Sequence, residues 1–88
     1  MELVNYMEEA TKRSLDELLE CAEYVDYKIT EKQKLDILAC ALNQLPARYL
    51  VSEKGYLYTR ADELKQQFKT DIIVELTKAI LKVKANPR

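Results

Sequence analysis

From Leu35 to Leu42 the chain is apolar at almost every position, and Leu45-Pro46 then brings the pattern to a stop. Proline cannot continue a helix, and it biases the residue before it away from helical geometry. Only one glycine and two prolines occur in 88 residues, too few for a fold made of sheets and tight turns. These features predict an all-α chain: a small helical bundle of three main helices with short connecting turns, forming a single domain over residues 1–88. The connection after Pro46 is not a bland polar turn. Arg48, Tyr49, Lys54 and Gly55 crowd into the ten positions that start at Pro46, so this connection is the first candidate for function.

The spacing of apolar residues predicts a first helix from about Leu3 to Tyr24. Val4, Met7, Leu15, Leu18, Leu19, Ala22 and Val25 fall near one face, and Thr11 and Ser14 interrupt it. Residues 24–29 read as an ordered connection. Thr30 fits an N-cap, with Gln33 completing a capping box, and a second helix is expected from about Glu31 to Gln44. Leu35, Leu38, Ala39, Leu42 and Leu45 make one stripe on it, while Ile37, Cys40 and Ala41 make the other side apolar too. A helix apolar on both sides is central or lies in a subunit interface. Asp36, the single charge in that run, needs a partner if buried, or else faces water beside Lys32 and Lys34.

Residues 47–58 read as a loop with at most a short helical turn. Thr59 resembles the next N-cap, and a third helix is expected from about Arg60 to Lys84, with Leu64, Phe68, Ile72, Leu76, Ala79, Ile80 and Val83 as its apolar face. At 1.5 Å per residue that helix would span ~37 Å, against a radius of gyration of ~12 Å for a domain of this size. It must kink or overhang its own subunit. An apolar overhang would need a second copy to cover it, which makes an intertwined two-fold homodimer the expectation.

Charge and composition narrow the chemistry. The net charge is −1, but residues 1–31 carry nine acids and three bases, while residues 32–60 carry five bases and two acids. The middle of the chain offers cations to an anion, or simply forms solvated helix faces; the whole is too acidic for a protein that coats DNA. There is no apolar run long enough for a membrane span and no signal-peptide pattern, so a cytoplasmic protein is expected. Cys21 and Cys40 without any histidine exclude the usual zinc frameworks, and both are expected as buried free thiols. Catalysis has little to work with. No histidine is available as acid or base, Ser14 and Ser52 have no evident base, and Asp36, Glu53 and Asp71 form no recognisable carboxylate pair. No glycine-rich phosphate loop is present. The chain is not expected to be an enzyme.

Binding is better supplied. Arg48 has a planar fork for phosphate and can stack on a purine. Tyr49, Tyr56 and Tyr58 offer flat faces for bases, and Lys54 offers a point charge beside Gly55, where a ligand can approach the backbone. Asn43 can read a base edge. Each residue also has a plain structural role open to it: Asn43 as a helix cap, Tyr49 as core, Arg48 as partner of an acid on the first helix.

The run Ala41-Leu42-Asn43-Gln44-Leu45-Pro46, then Tyr49, then Ser52-Glu53-Lys54-Gly55, resembles the late-competence ComFB family. The closing Ala79-Ile80, Val83 and Pro87 and the early Asn5 with Glu8 or Glu9 fit as well, so the likeness covers most of the chain. It implies an all-helical homodimer and a receptor for the second messengers cyclic di-GMP, cyclic di-AMP or both, linked in different bacteria to competence, motility or cell size. A downstream protein partner, not identifiable from sequence, is implied by such a role, and DNA is not expected as a partner. On this resemblance the ligand-binding residues are Asn43, Pro46, Arg48, Tyr49, Ser52, Glu53, Lys54 and Gly55, with Arg48 and Lys54 opposing phosphate. Some members hold a zinc ion on cysteines placed before the central helix. This chain has Asp26-Tyr27-Lys28-Ile29-Thr30 there, so no zinc or other cofactor is expected. The rival expectation is a protein-interaction module, or an accessory protein of DNA uptake, with no small ligand.

Overall fold

The computed structural model of the chain describes residues 2–52 and 57–85, the side chains of Ser52, Leu57 and Tyr58 excepted. In chain order its elements are β1 (Glu2–Asn5), α1 (Tyr6–Leu19), α2 (Ala22–Val25), α3 (Glu31–Leu42), β2 (Tyr49–Ser52), α4 (Leu57–Gln67) and α5 (Lys69–Ala85). The expectation of an all-α bundle needs correcting: among the described residues five helices are joined by one small antiparallel sheet, β1 against β2. Its register pairs Glu2 with Ser52, Leu3 with Val51, Val4 with Leu50 and Asn5 with Tyr49.

The first helix therefore begins at Tyr6, not near Leu3. Asn5 is extended, and its side chain accepts a hydrogen bond from the Met7 N–H at 3.2 Å, which caps the new helix. Glu8 and Glu9 occupy the first turn, where the helix dipole favours acids. The helix also stops earlier than expected, at Leu19. Cys21 is extended, and Tyr24 and Val25 belong to the short α2. Lys28, at φ 53°, turns the chain into the next element. There Thr30 and Gln33 form the capping box that the sequence predicted, each side chain accepting from the other's backbone N–H at 3.1 and 3.0 Å.

The core sits where α1, α3 and α5 meet. Met7, Leu15, Ile37, Ile72, Leu76 and Ile80 are fully buried there, with Ala10, Ala41, Ala79, Leu38 and Leu45 around them. Thr11 and Ser14 are buried too, so they belong to the inward face of α1. On α3 the buried face is Ile37, Leu38, Ala41, with Leu45 just beyond; Leu35 and Ala39, expected in the inward stripe, are exposed. Both faces carry apolar residues, so periodicity alone could not choose between them. Asp36 faces solvent. Lys34 reaches across to Asp16 on α1 at 2.8 Å. That hydrogen bond, outweighing a small loss of hydration, holds the Lys34 ammonium above its usual value of 10.5.

The expected third helix is two. Phe68 lies between α4 and α5, and the hydrogen bonds from Phe68 N–H to the Leu64 carbonyl and from Ile72 N–H to the Phe68 carbonyl, both 2.9 Å, run through the junction. The helix is interrupted there without proline or glycine, and its two parts have different main neighbours: α4 packs on α1, α5 on α3. Arg13 on α1 bridges to Asp62 on α4 at 2.7 Å, and Lys65 on α4 pairs with Glu17 on α1. Thr59, expected as an N-cap, lies inside the first turn of α4. The described residues measure 38 × 24 × 20 Å, and the single long helix that argued for a dimer is divided into α4 and α5. No helix among them is long and apolar enough to cross a membrane.

Candidate functional site

α3 ends at Leu42, short of the expected Gln44, with Asn43 as its C-cap; a turn follows, and Pro46, Ala47 and Arg48 lead from it into β2. The start of α1 fixes this corner. The Asn5 Oδ1 that caps α1 also accepts the Arg48 backbone N–H at 2.9 Å, and the Tyr6 N–H donates to the Arg48 carbonyl at 2.8 Å. Both main-chain polar groups of Arg48 are thus held by two consecutive residues, Asn5 and Tyr6, and Tyr6 and the next residue, Met7, are buried. Outward from this anchor, the Arg48 Nη1 donates to the Ala47 carbonyl at 3.2 Å. Its guanidinium carbon stands 5.1 Å from the centroid of the Phe68 ring, a cation–π distance. Phe68 is half-buried against the core at the junction of α4 and α5.

A groove of about 310 Å³ opens between this corner and α4, lined by Arg48, Tyr49, Leu50, Arg60, Glu63 and Gln67 among others. Arg60, Glu63 and Gln67 share one face of α4 by their spacing. Arg60 donates to Glu63 at 3.2 Å, and both side chains are more than half exposed. Two guanidinium groups against one carboxylate leave the lining net positive, and Leu50 and Tyr49 give it an apolar and an aromatic surface. Tyr49 is 60% exposed, so it is not a core residue, and no acid of α1 pairs with Arg48 among the described contacts. The chemistry on offer is that of a binding groove for an anion with a flat ring: bidentate donors for phosphate and planar groups for a base.

The predicted site residues do not all meet here. Arg48 and Tyr49 do. Pro46 is exposed beside the groove and acts as the stop that turns the chain into it. Asn43 is elsewhere: it is the C-cap of α3, its backbone N–H donating to the Ala39 and Ala41 carbonyls. It lines a separate groove of about 870 Å³ with Thr30, Gln33, Asp36 and Lys82. Ser52 closes β2 opposite Glu2. Glu53, Lys54, Gly55 and Tyr56 lie outside the described residues, as do the side chains of Ser52 and Tyr58. The cysteines also differ from expectation. Cys21 is exposed and Cys40 half-buried, and both are free thiols.

Sequence reasoning did not single out Arg60, Glu63 or Gln67 as groove residues, nor Asn5 and Phe68 as supports of Arg48. For Asn5 a signal existed. An asparagine with Glu8 and Glu9 just after it is an N-terminal helix signature. For Phe68 there was none, since its ring was one more member of an apolar stripe.

With this geometry established, known proteins add a further finding. A sequence model described as late competence development protein ComFB matches residues 4–87. The solved structure of the late competence protein ComFB from Bacillus subtilis is similar in fold, with a TM-score of 0.73 and 28% identity, over 99% of this chain and 93% of that one. No curated protein sequence matches the chain at a significant level.

Proposed function

The chain belongs to the ComFB late-competence family, and on that premise we propose that it is a non-enzymatic regulator that binds a cyclic dinucleotide, cyclic di-GMP or cyclic di-AMP, at the groove of Arg48, Tyr49 and Arg60. The observation that supports this most is the lining itself. Two arginines and an exposed tyrosine share one open groove with an apolar floor residue, Leu50. A cyclic dinucleotide presents two phosphates and two purines, and arginine serves both, as a fork for the first and a stacking plane for the second. Bound anion would draw Arg60 from Glu63, an exchange that leaves the ligand better opposed than the solvated carboxylate was. Lys54 and Ser52, on the chain that continues from β2, are the further contacts this reading assigns.

The groove is at the lower end of the size range for small-molecule pockets. It suits one nucleotide half of the ligand, and a second copy related by a two-fold would supply the groove for the other half. The ribbon favours such a homodimer. Leu3, Val51 and Tyr49 lie on one of its faces by the register, and they are 71%, 64% and 60% exposed. A cytoplasmic location and a downstream protein partner belong to the same proposal. The same exposed face also favours the rival reading, an interaction module with no small ligand.

Calorimetric titration of the chain with each cyclic dinucleotide tests the proposal. Saturable binding of at least one is expected, with a rise in melting temperature. Ligand at 100 times its dissociation constant adds about 2.7 kcal/mol of stability. A flat titration and an unmoved melting temperature with both would refute it in favour of the interaction module.

A further inference from the structure

Two distant parts of the chain, the start of α1 and the junction of α4 with α5, converge on one exposed arginine. Residue 5 holds its backbone N–H, residue 6 holds its carbonyl, and residue 68 supports its head. A solvated surface arginine requires none of this. Its side chain is long, and ordering it on binding costs rotamer entropy that a bound phosphate must outweigh. We infer that Asn5 and Phe68 are positioning residues that pre-set Arg48 for an anionic ligand, Asn5 by fixing its backbone and Phe68 by fixing the plane of its guanidinium. The inference rests on the groove reading above and extends it to two residues that do not line the groove.

The division of labour comes from the chemistry. Asn5 Oδ1 accepts two N–H groups, Met7 at 3.2 Å and Arg48 at 2.9 Å. One oxygen therefore links the start of α1 to the corner, and the corner inherits the rigidity of a helix whose first two residues are buried. The guanidinium carbon stands over the Phe68 ring at 5.1 Å from its centroid, and Arg48 remains exposed. The one hydrogen bond that Arg48 makes from its head among the described residues, to Ala47, uses one of five N–H donors. An exposed, supported head with several free donors is what a purine and a phosphate need from the same side chain.

The test separates positioning from folding. Asn5→Ser keeps a good helix cap, but its shorter side chain does not reach the Arg48 N–H. Phe68→Leu keeps apolar bulk and removes the ring. Both are made in the wild-type chain and in Arg48→Ala, and each is read by calorimetry with cyclic di-GMP and cyclic di-AMP, by melting temperature, and by amide hydrogen exchange at residue 48. Asn5→Ser is expected to speed exchange at that amide about tenfold and to weaken binding about threefold or more. Phe68→Leu is expected to weaken binding by a similar factor without changing that exchange rate. In the Arg48→Ala background neither should weaken binding further. Wild-type affinity in either single variant overturns the inference, and so does a loss that persists without Arg48. If the wild-type chain binds neither ligand, the groove reading has failed. Exchange at residue 48 then decides the Asn5 link by itself: faster in Asn5→Ser supports it, unchanged overturns it.

Discussion

In the helical core Met7, Leu15, Ile37, Ile72, Leu76 and Ile80 have no exposed surface, whereas in the ribbon Leu3, Tyr49 and Val51 keep more than half of theirs. The core is held by burial, which is strong, additive over many side chains and indifferent to direction. The ribbon is two strands of four residues, a unit with little stability of its own, and its corner depends on a few directed hydrogen bonds from Asn5 and Tyr6. This contrast decides where change is tolerated. Losses in the core should lower stability and leave the groove's affinity alone, and losses at the corner should do the reverse.

The largest expected effect tests the first half. Leu76→Ala removes a fully buried side chain of α5 and should cost about 2–5 kcal/mol of unfolding free energy. Urea denaturation would measure it, with calorimetry well below the melting temperature showing unchanged affinity in the molecules still folded. A cost under about 1 kcal/mol would mean that α5 is not the centre of the core. The second prediction tests the other half. Arg48→Ala removes an exposed side chain that makes no ion pair among the described contacts, so the melting temperature should hold within about 2 °C. Affinity for a cyclic dinucleotide should fall at least about tenfold, the loss expected when one charge-assisted contact goes. An Arg48→Ala chain that melts far below wild type would erase the distinction between the two regions.

These regions also differed in how much of them could be read in the sequence. The capping box of Thr30 and Gln33 was legible because it is local: two residue types three apart, leading into a helix. That α3 could not run past Pro46 was legible for the same reason, although the helix stops sooner, at Leu42. The ribbon was not. Leu3 and Val4 extend the apolar pattern of α1, and their strand partners Val51 and Leu50 lie far along the chain, so no local rule connects them. The aromatic and β-branched run Tyr49-Leu50-Val51 was the available hint. The break at Phe68 left no mark because no helix breaker stands there; its two sides instead have different main neighbours, α1 for α4 and α3 for α5. Half of the site was therefore visible as residue types, in Arg48 and Tyr49. The other half, Arg60 and Gln67 across the groove, depended on the packing of α4 on α1. Asn43 shows the converse. It sits in the most recognisable motif of the chain and serves as a helix cap away from the groove.

A smaller effect refines the account of the core. Thr11 is fully buried on α1, and its hydroxyl has no hydrogen-bond partner. A buried hydroxyl left unpaired costs free energy relative to a methyl group of similar size. Thr11→Val should raise stability by about 1 kcal/mol, seen as a higher urea midpoint at an unchanged slope. A decrease would show that an internal water or a shifted rotamer satisfies the hydroxyl.

The smallest prediction concerns the surface that joins the core helices. Lys34 on α3 bridges to Asp16 on α1 at 2.8 Å, with the Asp16 side chain more than half exposed. The hydrogen bond raises Lys34 above 10.5, so the folded state holds its proton more tightly than the unfolded chain does. The stabilisation is then complete below the unfolded value and is lost as the pH rises through the raised folded value. Water screens so exposed a pair, and its worth at neutral pH should be no more than a few tenths of a kcal/mol. Lys34→Met should therefore cost that little at pH 7, less in high salt, and nothing once the pH has passed Lys34's own titration. Asp16→Asn should give the same profile at alkaline pH, because either change removes the same bridge. A cost that stayed constant into the alkaline range would assign the effect to the packing of the Lys34 stem between α1 and α3, and would move that contact from the exposed surface to the buried core.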